Sequence, residues 1–246
     1  MYASIDEWQE STGSSKKLLH LGCGSKYWQG WCNIDGYPPE DTDTHRGTLG
    51  SEMAPDIWSD IRSIPVGDGI VDGIATHHVL EHFYKHQVEE LVGYFYQLLK
   101  PGGYLVTEMP DLDRIVFLLR WLPVKPRYNQ SMNANRDMVL SQLYGASWEA
   151  NEKGYPYHKY VWQRREFCEM LRNVGYEILL DTGATLSHVP FRDMAIVAQK
   201  PMLLEQKENI IDTSNVMATL NQYGNRQARM LKQLKSILGM LKRGLL

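Results

Sequence analysis

The chain has 246 residues, 43% of them hydrophobic, and a formal net charge of −3. That is enough for one large domain with a buried core, and no apolar run approaches the roughly 20 residues of a membrane span. Six basic and no acidic residues lie in 226–246, leaving 20 basic against 29 acidic residues before them, a balance poorly suited to nucleic acid.

Residues 1–16 are polar and end in Ser11-Thr12-Gly13-Ser14-Ser15, which reads as a loose leader. No basic stretch followed by an apolar one precedes the domain, so no signal peptide is expected. From Lys17 short apolar runs alternate with helical patterns. Strands are expected at Lys17–Leu21, Trp31–Ile34, Asp56–Ser59, Val71–Thr76 and Tyr104–Met109. Between the last two, Val88, Leu91, Val92, Phe95, Leu98 and Leu99 recur at the spacing of one helix face, and Pro101-Gly102-Gly103 stops that helix. A second amphipathic helix is expected over 163–174, with Phe167, Met170, Leu171 and Val174 on one side, then strands at Tyr176–Leu180 and Met194–Ala198. Such alternation implies a largely parallel sheet covered on both faces. Residues 111–162, rich in Tyr, Trp, Asn and Pro, interrupt it as an insertion, and 201–246 follow it as a tail.

The polar motifs gather at the carboxyl ends of strands, where open α/β sheets bind ligands. His20-Leu21-Gly22-Cys23-Gly24 follows the first strand, and its glycines let the backbone turn sharply beside a ligand. A dinucleotide fingerprint would place a third glycine at Tyr27, so a single nucleoside fits better than a nicotinamide dinucleotide. Asp35 ends the second strand, where a carboxylate can accept both hydrogen bonds of a ribose diol. Asp60, ending the third, can accept from an exocyclic amine, with Ile61 packing on the ring. Both acids also suit plain helix caps or turns. Cys23 lacks a partnered base, so its backbone rather than its thiol is expected to matter.

Taken together, LHLGCGSKYWQGWCNIDG, SDIRSIPVGDGIVDGIATHHVLEHF and LLKPGGYLVTEMPDL resemble the class I S-adenosylmethionine-dependent methyltransferases. The closest resemblance is to small members found in bacterial surface-glycan gene clusters. It covers roughly residues 17–200 and implies a Rossmann-like seven-stranded sheet in order 3-2-1-4-5-7-6, the last strand antiparallel. It also implies S-adenosyl-L-methionine as cofactor: Leu21, Gly22, Cys23 and Gly24 line it, Asp35 holds the ribose, Asp60 and Ile61 hold adenine, and His78 lies beside it. Lys26 and His20 depart from the pattern, standing where many relatives have a third glycine and an acid. The acceptor implied is a hydroxyl on a glycan, a glycolipid precursor or a related small molecule. The competing reading is a cofactor-binding or scaffolding protein without turnover.

Removing a hydroxyl proton needs a base, and His82, His158 and Asp111 are the candidates. Asp111 equally suits the N-cap of a helix over Leu112–Trp121. His78, His82 and His86 fall four apart with Glu81 among them. They would make a metal face only on one continuous helix, and with a helix beginning near Tyr84 no metal is expected. Tyr144, Trp148, Tyr155, Tyr157 and Tyr160 can stack on an acceptor or fill a small core. Leu231, Leu234, Leu238, Leu241 and Leu245 are spaced as a helical seam in the basic stretch 226–246. That stretch is expected to self-associate, to dock on a partner, to touch a membrane surface or to pack on its own domain. With three cysteines and no CxxC spacing, the protein reads as cytoplasmic, peripheral at the membrane if the tail binds there.

Overall fold

The computed structural model describes residues 2–24, 26–36, 55–121, 136–145, 157–183 and 192–202. Trp148, Tyr155 and the seam from Leu231 to Leu245 lie outside them.

The first helix, α1 (Ile5–Thr12), lies in the segment expected to be a loose leader. Its start is a reciprocal cap. Ser4 Oγ accepts from the Glu7 N–H at 3.1 Å, and the Glu7 carboxylate accepts from the Ala3 N–H at 2.6 Å. Ile5 and Trp8 are buried in the main core. Two large apolar side chains on one face of a short polar helix are enough to dock it, so the leader belongs to the domain.

The sheet strands are β1 (Leu18–Leu21), β2 (Cys32–Asp35), β3 (Ile57–Trp58), β4 (Val71–His77), β5 (Leu99–Pro110), β6 (Glu177–Gly183) and β7 (Asp193–Gln199). Their order is β3-β2-β1-β4-β5-β7-β6, as the resemblance implied. The first five run parallel, and β7 lies antiparallel between β5 and β6. The α2 helix (Lys85–Leu98) buries Val88, Leu91, Val92, Phe95 and Leu98, the expected stripe. It hands over directly to β5, so Pro101-Gly102-Gly103 lies within the strand's span rather than before it.

Side chains alternate across the sheet. Leu19, Leu21, Ile74, Leu105 and Ile196 face the main core with α1, α2 and α5 (Arg164–Val174). Trp28, Trp31, Ala75, Tyr104, Val106 and Val197 make a second cluster on the other face. Two further helices, α3 (Leu112–Trp121) and α4 (Arg136–Tyr144), share a small core of Ile115 and Val139. They lie in the expected insertion and give part of it a helical form. Among the described residues, no helix is long and apolar enough to cross a membrane.

Candidate active site

The carboxyl edge of β1, β2 and β4 carries the first half of the site. Gly22 and Gly24 adopt φ of 64° and 51°, a left-handed backbone that side chains rarely take. The Gly22 and Cys23 N–H groups both donate to the Ile34 carbonyl, at 2.8 and 3.2 Å. This folds the loop back over β2. The Gly24 N–H then donates to Asp35 Oδ2 at 2.7 Å. A Cβ on Gly24 would meet nothing within 4 Å, whereas one on Gly22 would sit 2.6 Å from Val79 Cγ2. The loop is therefore open at Gly24 and packed at Gly22. Burial, followed by the Asp35 charge, pushes the Cys23 thiol far above its ordinary value, which removes it as a nucleophile at neutral pH.

Asp60 and Ile61 follow β3. The Asp60 carboxylate is gripped by Arg62, whose backbone N–H and Nε donate to Oδ1 at 2.9 Å. Its Nη2 reaches Oδ2 as well. Arg62 holds Asp60 below the usual carboxylate range, so an amine approaching it must share the carboxylate with Arg62. Ile61 is buried in the main core.

His20 lies inside the sheet rather than at a ligand. Its ring stacks on Trp28 at 4.2 Å, and its Nδ1 meets Asn33 Oδ1 at 3.0 Å. Burial lowers its pKa to about 4; at neutral pH it is uncharged and offers no carboxylate-like anchor.

The second half of the site is a buried network of charges across β4, β5 and β7. His78 has a φ of 55° and bridges two acids. Its Nδ1 lies 2.9 Å from Glu81 Oε1 and its Nε2 3.3 Å from Asp193 Oδ2. Burial works against the imidazolium, but Asp193 and Glu81 outweigh it and raise the pKa to about 10. Arg192 completes the clamp, donating to both Asp193 oxygens at 2.8 and 3.1 Å. Beside them, Lys26 Nζ lies 3.0 Å from His77 Nδ1, and His77 Nε2 lies 3.5 Å from Glu108 Oε1. Burial, then His78 and Lys26, drives His77 well below its ordinary pKa, which makes it a neutral partner for the ammonium. Lys26, His78 and Arg192 thus balance Glu81, Glu108 and Asp193, as buried charges require.

The histidines expected to line the acceptor side come together. His82, in a 3-10 turn at Leu80–His82, and His158 lie with ring centroids 5.0 Å apart and nearly perpendicular. His158 Nδ1 donates to the Gln142 carbonyl at 2.7 Å. His82 Nδ1 faces the Tyr157 carbonyl at 3.3 Å. In a neutral ring with Nδ1 donating to these carbonyls, Nε2 is the nitrogen that bears the lone pair. The Glu81 carbonyl accepts from the Lys159 and Tyr160 N–H groups at 2.7 and 3.3 Å, fastening the segment that bears His158 to the 3-10 turn.

Asp111 is placed differently. Its Oδ1 caps α3 through the Asp113 N–H at 3.1 Å, and its Oδ2 lies 3.2 Å from Arg114 Nε. His86 stands exposed on α2 and stacks on Tyr84. Because α2 begins only at Lys85, His78, His82 and His86 share no continuous helix. Asp193, Arg192 and Glu108 were not anticipated. The signal was present as charged residues at the entry of an apolar strand and inside another, positions that require buried partners.

A sheet of this order, with a glycine turn and an acid at adjacent strand tips, is of the Rossmann-like class. The model for the methyltransferase domain matches residues 4–180, and the chain belongs to that family. No curated protein matches it in sequence. Among solved structures, it resembles a Listeria monocytogenes protein assigned as an S-adenosylmethionine-dependent methyltransferase. That match has 14% identity and a TM-score of 0.50, covering 78% of this chain and 97% of the other. It also resembles the 1,6-didemethyltoxoflavin-N1-methyltransferase of Burkholderia thailandensis, at 13% identity and a TM-score of 0.46, covering 80% and 76%. At these identities the likeness is one of fold.

Proposed function

We propose that the protein transfers a methyl group from S-adenosylmethionine to a hydroxyl of a small acceptor, a glycan or glycolipid precursor. The observation that carries the cofactor reading is the tie between Gly24 and Asp35. It sets an open glycine turn and a carboxylate side by side at neighbouring strand tips. The described residues fit an adenosyl group. Asp35 spends Oδ2 on the loop and keeps its other oxygen for a ribose diol. Asp60 and Ile61 lie one strand further, on the adenine side, and the Gly22–Gly24 turn takes the methionine portion.

The cofactor, when bound, supplies a methyl group on a good leaving group. The protein is left to orient the acceptor and dispose of its proton. His82 and His158, with Nε2 lone pairs and partial exposure, form the wall at which the hydroxyl is deprotonated. Asp111 is committed to its cap and to Arg114, so it stands behind them. The choice of a glycan hydroxyl rests on the sequence resemblance; of the aromatic residues named for it, Tyr157 is exposed next to His158, whereas Tyr160 is hydrogen-bonded to Glu166 and packed on Trp162.

The test is calorimetric titration with S-adenosylhomocysteine and NADH on the wild type and Asp35→Ala. Micromolar binding of the first ligand alone, lost in the variant, is expected. Folded protein that binds neither ligand, or only NADH, would overturn the reading.

A further inference from the structure

We propose that Glu81, His82 and His158 hold a divalent transition-metal ion that takes the acceptor's oxygen. One ligand atom from each of the three lies within 4.8 Å of the others. Ligand atoms bound about 2.1 Å from a tetrahedral ion lie about 3.4 Å apart, so seating the ion draws a pair at the full 4.8 Å in by about 1.4 Å.

The surroundings of the three are those of ligands. A metal-bound histidine ordinarily donates its second ring N–H to a carbonyl or carboxylate, which fixes its tautomer and orientation. Both histidines do so: His158 to the Gln142 carbonyl at 2.7 Å, His82 to the Tyr157 carbonyl at 3.3 Å. Glu81 is fully buried, and its Oε2 has no hydrogen-bond partner. A buried carboxylate oxygen left bare is costly unless a cation or donor meets it. The other oxygen, Oε1, is held by His78, which Asp193 backs in turn. This chain of supports aims the carboxylate as outer partners aim a ligand. The fastening of Lys159 and Tyr160 to the Glu81 carbonyl brings His158 to a residue 77 positions earlier.

Two imidazoles and one carboxylate are the donor set of Zn2+, Fe2+ or Mn2+ sites, whereas Mg2+ and Ca2+ prefer oxygen alone. Three protein ligands leave positions open, and His82 and His158 are partly exposed, so an acceptor hydroxyl can reach them. Coordination there lowers the hydroxyl's pKa and fixes its direction of attack. Coordination uses the histidine lone pairs, so His82 and His158 act as ligands in place of the base role given them above, and the proton leaves to solvent. The role in methyl transfer rests on the function proposed above; the metal site does not.

The test uses the full chain, stripped of metal by a chelator and dialysed, then titrated with Zn2+, Co2+ and Mg2+ by calorimetry and, for Co2+, by visible absorption. Four proteins are compared: wild type, His82→Ala, His158→Ala and, as a surface-histidine control, His86→Ala. One equivalent of Zn2+ or Co2+ should bind the wild type and His86→Ala, with cobalt d–d bands. Each of the other two variants should weaken binding by at least about 10-fold. Retained S-adenosylhomocysteine binding in the same samples shows that they are folded. Absence of Zn2+ and Co2+ binding, a preference for Mg2+, or binding unchanged in both site variants would overturn the proposal. Loss of S-adenosylhomocysteine binding in the wild type would count against the methyltransferase reading alone.

Discussion

The Gly24 N–H and the Asp35 carboxylate, 2.7 Å apart, join the turn after β1 to the tip of β2, so the glycine turn and the carboxylate of the proposed cofactor site are tied to each other. Asp35 holds the loop and, in the function proposed above, also meets the ligand; the two tasks are separable. Asp35→Asn keeps a carbonyl oxygen for the Gly24 N–H but loses the charge. It should unfold within about 1 kcal/mol of the wild type while weakening S-adenosylhomocysteine by roughly 10- to 100-fold, the range of hydrogen bonds to a charged group. Asp35→Ala loses both tasks and should be less stable as well. Equal loss of affinity and of stability in Asp35→Asn would mean that the loop, not the ribose contact, depends on the charge.

Gly22 and Gly24 share a left-handed backbone but not their surroundings. An alanine at Gly24 faces open space and bears only the backbone cost, about 1–2 kcal/mol. An alanine at Gly22 bears that cost and a clash with Val79, whose branched side chain cannot swing aside freely. Overpacking adds typically 1–3 kcal/mol, so Gly22→Ala should destabilise by about 2–5 kcal/mol. Urea unfolding of both variants checks this, and equal effects would remove Val79 from the account.

How much of this was legible in the sequence depended on distance along the chain. The α2 stripe appears in full because helical periodicity is local. Helix α1 was missed although Ser4 and Glu7 stand at capping-box spacing, because the run after them is polar and only Ile5 and Trp8 anchor it. The five strand-tip motifs supplied the fold only through their order. His82 and His158 were both named as candidates, but nothing between residues 82 and 158 announces that they touch. Their meeting depends on two backbone hydrogen bonds to the Glu81 carbonyl. The partners of Lys26 and His78 are likewise scattered, over β4, the 3-10 turn and β7, and each charge looks out of place until these elements are laid side by side.

Asp193 is the anion on which that charge network turns. It is fully buried, receives both arms of the Arg192 guanidinium and faces His78. Asp193→Asn leaves a guanidinium and an imidazolium with one less counter-charge in a water-poor interior. Removing one partner of a buried pair typically costs 3–5 kcal/mol, so a loss of about that size is expected by urea unfolding. A loss below about 1 kcal/mol would show that water reaches the clamp.

The buried histidines also dictate how stability depends on pH. His20 titrates near 4 in the fold against 6.5 in the unfolded chain, because burial disfavours its charge, and His77 is lowered in the same direction. Between pH 4 and 6.5 the unfolded state binds more protons at these sites, so stability is present above about 6.5 and is lost as pH falls. His78 is the opposite case. Raised to about 10, it binds its proton more tightly when folded. Its contribution is complete below about 6.5 and disappears as pH rises towards 10. The unfolding free energy should therefore peak near pH 6.5 and fall on both sides. His20→Gln should flatten the acid limb, and Asp193→Asn, by lowering the His78 pKa, should flatten the alkaline limb. Urea midpoints measured from pH 4 to 10 on the three proteins test the assignment, which fails if either substitution leaves its own limb unchanged.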